Sequence, residues 1–240
     1  MEKFNRLLVT MRKLLVDIDL AINGFIVMSE TLDEMYLKFT NNQVPKSWAK
    51  VGYLSLKPLS SWFKDLLIRV EFMRNWLENG NPQCYWFSAF FFPHGFMTGI
   101  LQTHARRFSI AIDKLSFSFE VMQAEVAEHI EDYPEDGVGV YISGLFMDGA
   151  RWDREAQVIS DQFPAKMTET MPVVWFVPKQ DFKPDPENYM APLYKTSQRA
   201  GVLSTTGQST NYVLNVELPT KEPPSTWVQR AAALLSMLND

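Results

Sequence analysis

Apolar side chains recur at Phe4, Leu8, Met11, Leu15, Ile18, Ile22 and Phe25, in alternating steps of four and three that lay one stripe along a helix. A helix over residues 4–25 is about 30 Å long at 1.5 Å per residue. Gly24 loosens its end, and Thr31 with Glu34 has the capping-box spacing that would open a second helix, TLDEMYLKF. Pro45 lacks the amide that a continuing helix needs and is expected to close that run. The most regular stripe holds Trp62, Phe63, Leu66, Leu67, Val70, Met73 and Trp76. It starts from Pro58, suited to a helix's first position, and leaves at Asn79-Gly80. Trp76 on that stripe is the expected core indole. Pro93 opens another helix that runs to Arg106 and Arg107, where cations meet the negative end of the helix dipole. Residues 1–113 therefore read as a helical subdomain.

From Leu115 the period changes. LSFSFEVM alternates apolar Leu115, Phe117, Phe119 and Val121 with polar Ser116, Ser118 and Glu120, the pattern of a half-buried strand. GVGVYISGLFM at 137–147, MPVVWFVP at 171–178, MAPLYKTS at 190–197 and NYVLNVEL at 211–218 follow, separated by turn signals such as Asp136-Gly137, Asp148-Gly149 and KPDPEN. Their spacing leaves little room for crossover helices, which favours antiparallel pairing closed as a barrel or sandwich. The tail STWVQRAAALLSMLND is expected to be a helix capped by Ser225, with Trp227, Ala231, Leu234, Leu235 and Leu238 on its apolar face. Residues 114–240 thus read as an antiparallel, barrel-like subdomain with a closing C-terminal helix, and the two subdomains as one α+β structural unit.

Composition narrows the functions such a fold can serve. Of 240 residues, 46% are hydrophobic and 13% aromatic, enough for a packed core and unlike a disordered polypeptide. A formal charge of -5 argues against nucleic acid, whose binding needs a concentrated basic face. Cys84 is the single cysteine, so no intrachain disulfide or cysteine zinc site can form, and a reducing compartment is expected. No Asn-X-Ser/Thr acceptor occurs, and the charged N-terminus MEKFNRLLVT lacks the apolar run of a secretory signal. An intracellular protein is the expectation. Between Glu78 and Arg106 there is no formal charge, yet Pro93, His94 and Gly95 interrupt the apolar run and polar residues flank it. A buried core segment is favoured over a membrane span.

Chemistry-bearing residues are sparse. His94 and His104 stand ten apart on one expected helix, too far for chelation at i, i+4, and neither they nor His129 lies in an HExxH motif. No GxSxG elbow supports a serine triad. Cys84 lies in apolar NPQCYWF, which would raise its pKa and make it a core residue, not a nucleophile. STTGQST at 204–210 lacks the lysine and following helix of a phosphate loop, and there is no GxGxxG. The acidic runs AEHIEDYPED and DPEN lack EF-hand order. In GARWD, Arg151 and Asp153 are favoured as a structural pair against Trp152, with a binding cluster as the other reading. No catalytic, cofactor-binding or metal-ligating residue is assigned.

Several segments together carry a family resemblance: VPKSW at 44–48, SLKPLSSWFKDLLIRVEFMRNWLENGNP at 55–82 and FFFPHGFMTGILQTHARRFSIAIDKLSFSFEV at 90–121. GLFMDGARWD at 144–153, MPVVWF at 171–176 and PLYKTSQRAGVLSTTGQSTNYV at 192–213 continue it. Their order and spacing resemble the C-terminal region of dynein heavy chains, most closely the axonemal branch, over essentially the whole sequence. The resemblance implies helices followed by an incomplete antiparallel barrel, packed against one face of the AAA+ ATPase ring. It further implies that ATP, Mg and the microtubule-binding surface belong to upstream modules, leaving this segment noncatalytic. Its partners would be the AAA+ modules of the same heavy chain and, indirectly, microtubules and other dynein subunits. Its place would be the cytoplasm and cytoskeleton, in the axoneme of a cilium or flagellum. The 240 residues are then expected to be one terminal piece of a much longer polypeptide. Surplus aromatic area on the first helix and around Phe90–Phe92 is where ring contacts are sought. Two other classes stay open at this point: a ligand-binding barrel with a helical lid, and a hydrolase built on His129 or Cys84.

Overall fold

The computed structural model describes residues 2–203, 207 and 209–239. The polypeptide falls into two compact units, the first running to Gly80 and the second spanning Asn81–Leu238. In the first, α1 (Glu2–Ile22) buries Phe4, Leu7, Met11, Ile18 and Ala21, steps of three, four and seven that form a heptad seam. Of the expected stripe, Phe4, Met11 and Ile18 lie on that seam. Leu8, Leu15 and Ile22 are exposed instead. α2 (Glu30–Thr40) starts earlier than Thr31, because Ser29 is its N-cap and accepts a hydrogen bond from the Leu32 amide. Pro45 does not close α2, which has already ended at Thr40; it sits at the N-cap of the short α3 (Lys46–Ala49). α4 (Leu59–Asn79) runs from Pro58 to Gly80, whose φ of 86° suits a residue without a Cβ.

α1 packs on α2 and α3, and the aromatic residues of this unit form a row. Phe39 meets Trp48 edge-on at 5.3 Å, Trp48 stacks on Trp62 at 5.9 Å, and Tyr53 stacks on Trp62 at 5.6 Å. On α4 the buried indole is Trp62, 1% exposed; Trp76 is half-buried. The difference follows from position: Trp62 sits in the first turn of α4 under the 39–53 segment, whereas Trp76 lies in its last two turns. α4 also buries Asp65 and Arg69, whose Oδ2 and Nε are 2.6 Å apart. The Arg69 guanidinium lies 3.9 Å from the centre of the Tyr53 ring. Burial pushes the Tyr53 hydroxyl far above its ordinary range, against the lowering effect of Arg69.

The second unit holds β1 (Cys84–Trp86), α5 (Pro93–Phe108), β2 (Leu115–Val121), β3 (Val140–Ser143), β4 (Phe146–Asp148), β5 (Arg151–Asp153) and β6 (Val158–Ser160). After these come β7 (Thr168–Thr170), β8 (Val174–Gln180), β9 (Tyr189–Tyr194), β10 (Tyr212–Leu218), α6 (Pro224–Gln229) and β11 (Ala233–Leu235). Four strands order as β1-β3-β8-β2, five as β10-β9-β11-β4-β7, and β5 pairs with β6. None of these sheets closes on itself. Most pairs are antiparallel as expected, but β1–β3 and β11–β9 are parallel. The run 137–147 is two strands in two different sheets, split at Gly144-Leu145. Gly139 enters β3 at φ 76°, where a Cβ would stand 2.2 Å from the Phe176 carbonyl oxygen.

The tail departs furthest from expectation. Its helix stops at Gln229, and Ala231 takes a φ of 53°, which turns the backbone out of helical geometry. Ala233, Leu234 and Leu235 then form β11 in the middle of the five-stranded sheet, antiparallel to β4 and parallel to β9. All three are buried. A helix would turn part of this run to water, whereas a central strand buries both faces, which is how an uninterrupted apolar run is stabilised. Pro223, not Ser225, is the N-cap of α6, with no capping hydrogen bond from a side-chain atom. The core of this unit includes Phe87, Ile142, Met147, Phe176, Leu193, Val216 and Trp227. Arg199 ties the tail down: its guanidinium donates to the Ala231 carbonyl and lies 2.6 Å from Asp148.

Candidate interaction surface

The residues with catalytic potential are dispersed. His94 is the second residue of α5, half-buried, and its Nδ1 has no hydrogen-bond partner. Burial, and then the neighbouring Lys195, hold its pKa below the ordinary value, against the Tyr212 backbone. His104 lies further along α5 with its ring 4.5 Å from Phe108, and burial lowers its pKa too. His129 ends a short 3-10 turn at Ala127–His129. Cys84 is buried on β1 beside Tyr141 and Val173, and burial pushes its thiol up to about 11, away from thiolate chemistry. Among the described residues, no three metal-ligating side chains converge, and no helix is long and apolar enough to cross a membrane.

Arg151 and Asp153 do come together. Nη2 of Arg151 is 3.1 Å from Asp153 Oδ2, while Asp153 Oδ1 accepts from the amides of Glu155 and Ala156 and closes the β5–β6 turn. The guanidinium lies over Phe163, 4.5 Å from its centre, and not over Trp152, which is buried. The pair holds a turn. Of STTGQST, Ser204–Thr206 and Gln208 lie outside the described residues; Ser209 and Leu203 form an isolated bridge. A cavity of about 450 Å³ beside His94 is walled by Met97, Leu101, Phe117, Phe119 and Leu214, with no charged residue in its lining.

What the first unit does present is apolar surface. Leu8, Val9, Leu15 and Val16 of α1 face outward, and Leu15 and Val16 are 42% and 54% exposed. The segment after α1 is apolar and open as well: Phe25 and Val27 are 76% and 88% exposed, with Ile26 and Met28 also exposed. Leu8, Arg12, Leu15, Val16, Asp19 and Leu20 border a groove of about 500 Å³ along α1. The apolar residues grouped along the α1 groove mark a site of association more than scattered single exposed residues do. The expected patch at Phe90–Phe92 is mostly internal: Phe90 stacks on Phe96 at 3.9 Å, and only Phe92 is exposed. The signal for a second face on α1 was in its sequence. Leu7, Leu8, Val9, Leu14, Leu15 and Val16 are more apolar positions than one stripe holds.

A surface without chemistry, on a polypeptide with the ordered segments described above, is a family question. The family model for the C-terminal domain of dynein heavy chains matches residues 1–236. The protein belongs to this family of dynein C-terminal domains. It is 46% identical to dynein axonemal heavy chain 6 of Homo sapiens across 100% of its own length and 6% of that relative's. Dynein axonemal heavy chain 12 of Homo sapiens is 43% identical over 100% of the sequence and 8% of the relative, and dynein axonemal heavy chain 3 of Mus musculus is 42% identical over 99% and 6%. This dynein C-terminal domain thus spans less than a tenth of the relatives it matches.

Proposed function

We propose that the protein is the noncatalytic regulatory and structural domain at the C-terminal end of an axonemal dynein heavy chain. It braces the AAA+ ring of that heavy chain and modulates ATP-driven, minus-end-directed movement on microtubules in the axoneme of cilia or flagella. ATP and Mg are held by upstream AAA+ modules, so the direct partners are those modules, and microtubules and other dynein subunits are reached through them. The observation that carries this reading is the exposed apolar side chains of α1 and of residues 25–28 on a C-terminal domain that spans only a small fraction of its relatives. A domain that works against the rest of its own polypeptide needs such a face. The two large sheets read as an incomplete barrel, its open seam between the neighbouring edge strands β2 and β10.

Bracing acts by coupling. A domain that contacts the ring in one nucleotide state more favourably than in another shifts the balance between them by that difference alone. Calorimetry of the isolated domain with Mg-ATP is expected to give no heat of binding. Saturable micromolar binding would show a nucleotide site in this domain and overturn the noncatalytic reading.

A further inference from the structure

The exit of α5 carries chemistry of its own. Arg106, Arg107, Phe108 and Ser109 stand in the order Arg-Arg-X-Ser, followed by apolar Ile110, and no other serine or threonine in the sequence has an arginine three residues before it. All four are exposed. Ser109 is the C-cap of α5, left-handed at φ 54° and ψ 41°, a conformation that strains a residue with a Cβ. Its amide and that of Ile110 both donate to the Ala105 carbonyl. A last turn that is open to water and closed by a strained cap is where a helix opens first. Ile110 and Ala111 lie in no regular element, so the opening of one turn presents residues 106–111 as an extended strip. Neither arginine pairs with a carboxylate among the described residues. Nη1 of Arg107 donates instead to the Gly137 carbonyl, at 3.1 Å.

We propose that Ser109 is a phosphorylation site, modified by a protein kinase that reads the two arginines before it. Carboxylates in a kinase cleft select such guanidinium forks, two and three residues ahead of the hydroxyl. In the transfer, Ser109 Oγ attacks the γ-phosphorus of Mg-ATP, the bond from that phosphorus to the β–γ bridging oxygen breaks, ADP leaves, and the hydroxyl proton passes to a carboxylate of the kinase. The phosphate brings a charge of about -1.5 to -2 to the carbonyl end of α5, where an anion opposes the helix dipole. Turning onto Arg106 and Arg107 relieves that repulsion and draws Arg107 off the Gly137 carbonyl. That carbonyl belongs to the turn Glu135–Gly137 between β2 and β3, so modification at one end of α5 releases a loop of the strand-rich unit. This site is independent of the α1 surface and of the ring-bracing reading.

The full-length heavy chain, incubated with the catalytic subunit of cyclic-AMP-dependent protein kinase and Mg-ATP and mapped by mass spectrometry, tests it. Expected is phosphate on Ser109, its initial rate cut about tenfold or more by Arg106→Gln or Arg107→Gln, and no phosphate at this position in Ser109→Ala. All three variants alter exposed residues. Hydrogen exchange at Gly137 and Val138, whose amides donate to the Pro134 and Glu135 carbonyls, is expected to quicken several-fold on phosphorylation but not in Ser109→Ala treated alike. The same phosphopeptide is expected in heavy chain isolated from its own cells with phosphatases inhibited. Ser109 left unmodified in the folded heavy chain while the peptide HARRFSIAID is modified overturns the proposal, because the fold then masks the site. So does a rate that neither arginine substitution changes, or absence of the phosphopeptide from the isolated heavy chain. Unchanged exchange at Gly137 and Val138 overturns the release of the loop and leaves the modification site standing.

Discussion

Asp65 and Arg69 stand one helical turn apart on α4, and their contact at 2.6 Å replaces water that burial has taken from both. Such a pair stabilises little relative to apolar residues of the same volume, but removing one partner strands the other charge in the core. Asp65→Ala is therefore expected to destabilise the helical unit by about 3–5 kcal/mol, measured by urea unfolding. Asp65→Leu combined with Arg69→Met should cost much less than either change alone. Nothing in the sequence announced this pair. Both residues sit at i, i+4, where exposed ion pairs are common, and the ring of Tyr53, brought over Arg69 from outside the helix, is what sets this pair apart as buried. His94 gives a pH dependence. Its folded pKa is held below the ordinary 6.5 by burial, so the unfolded state binds the proton more readily. Stability is full above about pH 6.5 and declines as pH falls from there towards the folded pKa. Chemical denaturation of His94→Gln between pH 7.5 and 5 should show a shallower decline than the parent domain.

Elements with strong periodicity and a marked boundary were legible from the sequence. α4 begins after Pro58 and stops at Gly80, and α5 begins at Pro93, because proline and glycine act on the backbone whatever surrounds them. β2, β8, β9 and β10 fell where alternation or short apolar runs put them. The tail was not legible, since AAALL supports a buried helix and a central strand equally well and only the vacancy between β9 and β4 decides. The parallel β1–β3 pair was hidden for the same reason: its partners are more than fifty residues apart. β11 supplies a test at this scale. Leu234→Pro removes a ladder donor from a strand paired on both sides. It is expected to unfold the strand-rich unit, seen as lost near-ultraviolet dichroism. If the tail were a surface helix cap, the change would leave that signal largely intact.

At the scale of the molecule, the absence of a catalytic constellation in the sequence and the order of its family segments pointed the same way. The candidate surface was half legible. The stripe on α1 contained both a core face and an outward face, and amino-acid pattern alone does not tell which apolar residues meet their own unit and which meet something else. Leu15 and Ile18, three residues apart, belong to different faces. The proposed role makes this domain a coupling element between nucleotide state and track affinity. The most direct test compares a dynein motor carrying these 240 residues with one lacking them, measuring microtubule affinity with and without ATP. A second variant with Leu15→Glu and Val16→Glu keeps the domain in place. Removal and the double substitution are each expected to leave ATP binding in the ring intact while reducing the ATP-dependent change in microtubule affinity by about fivefold or more. An ATP-dependent change of the same size in all three proteins would contradict the regulatory role.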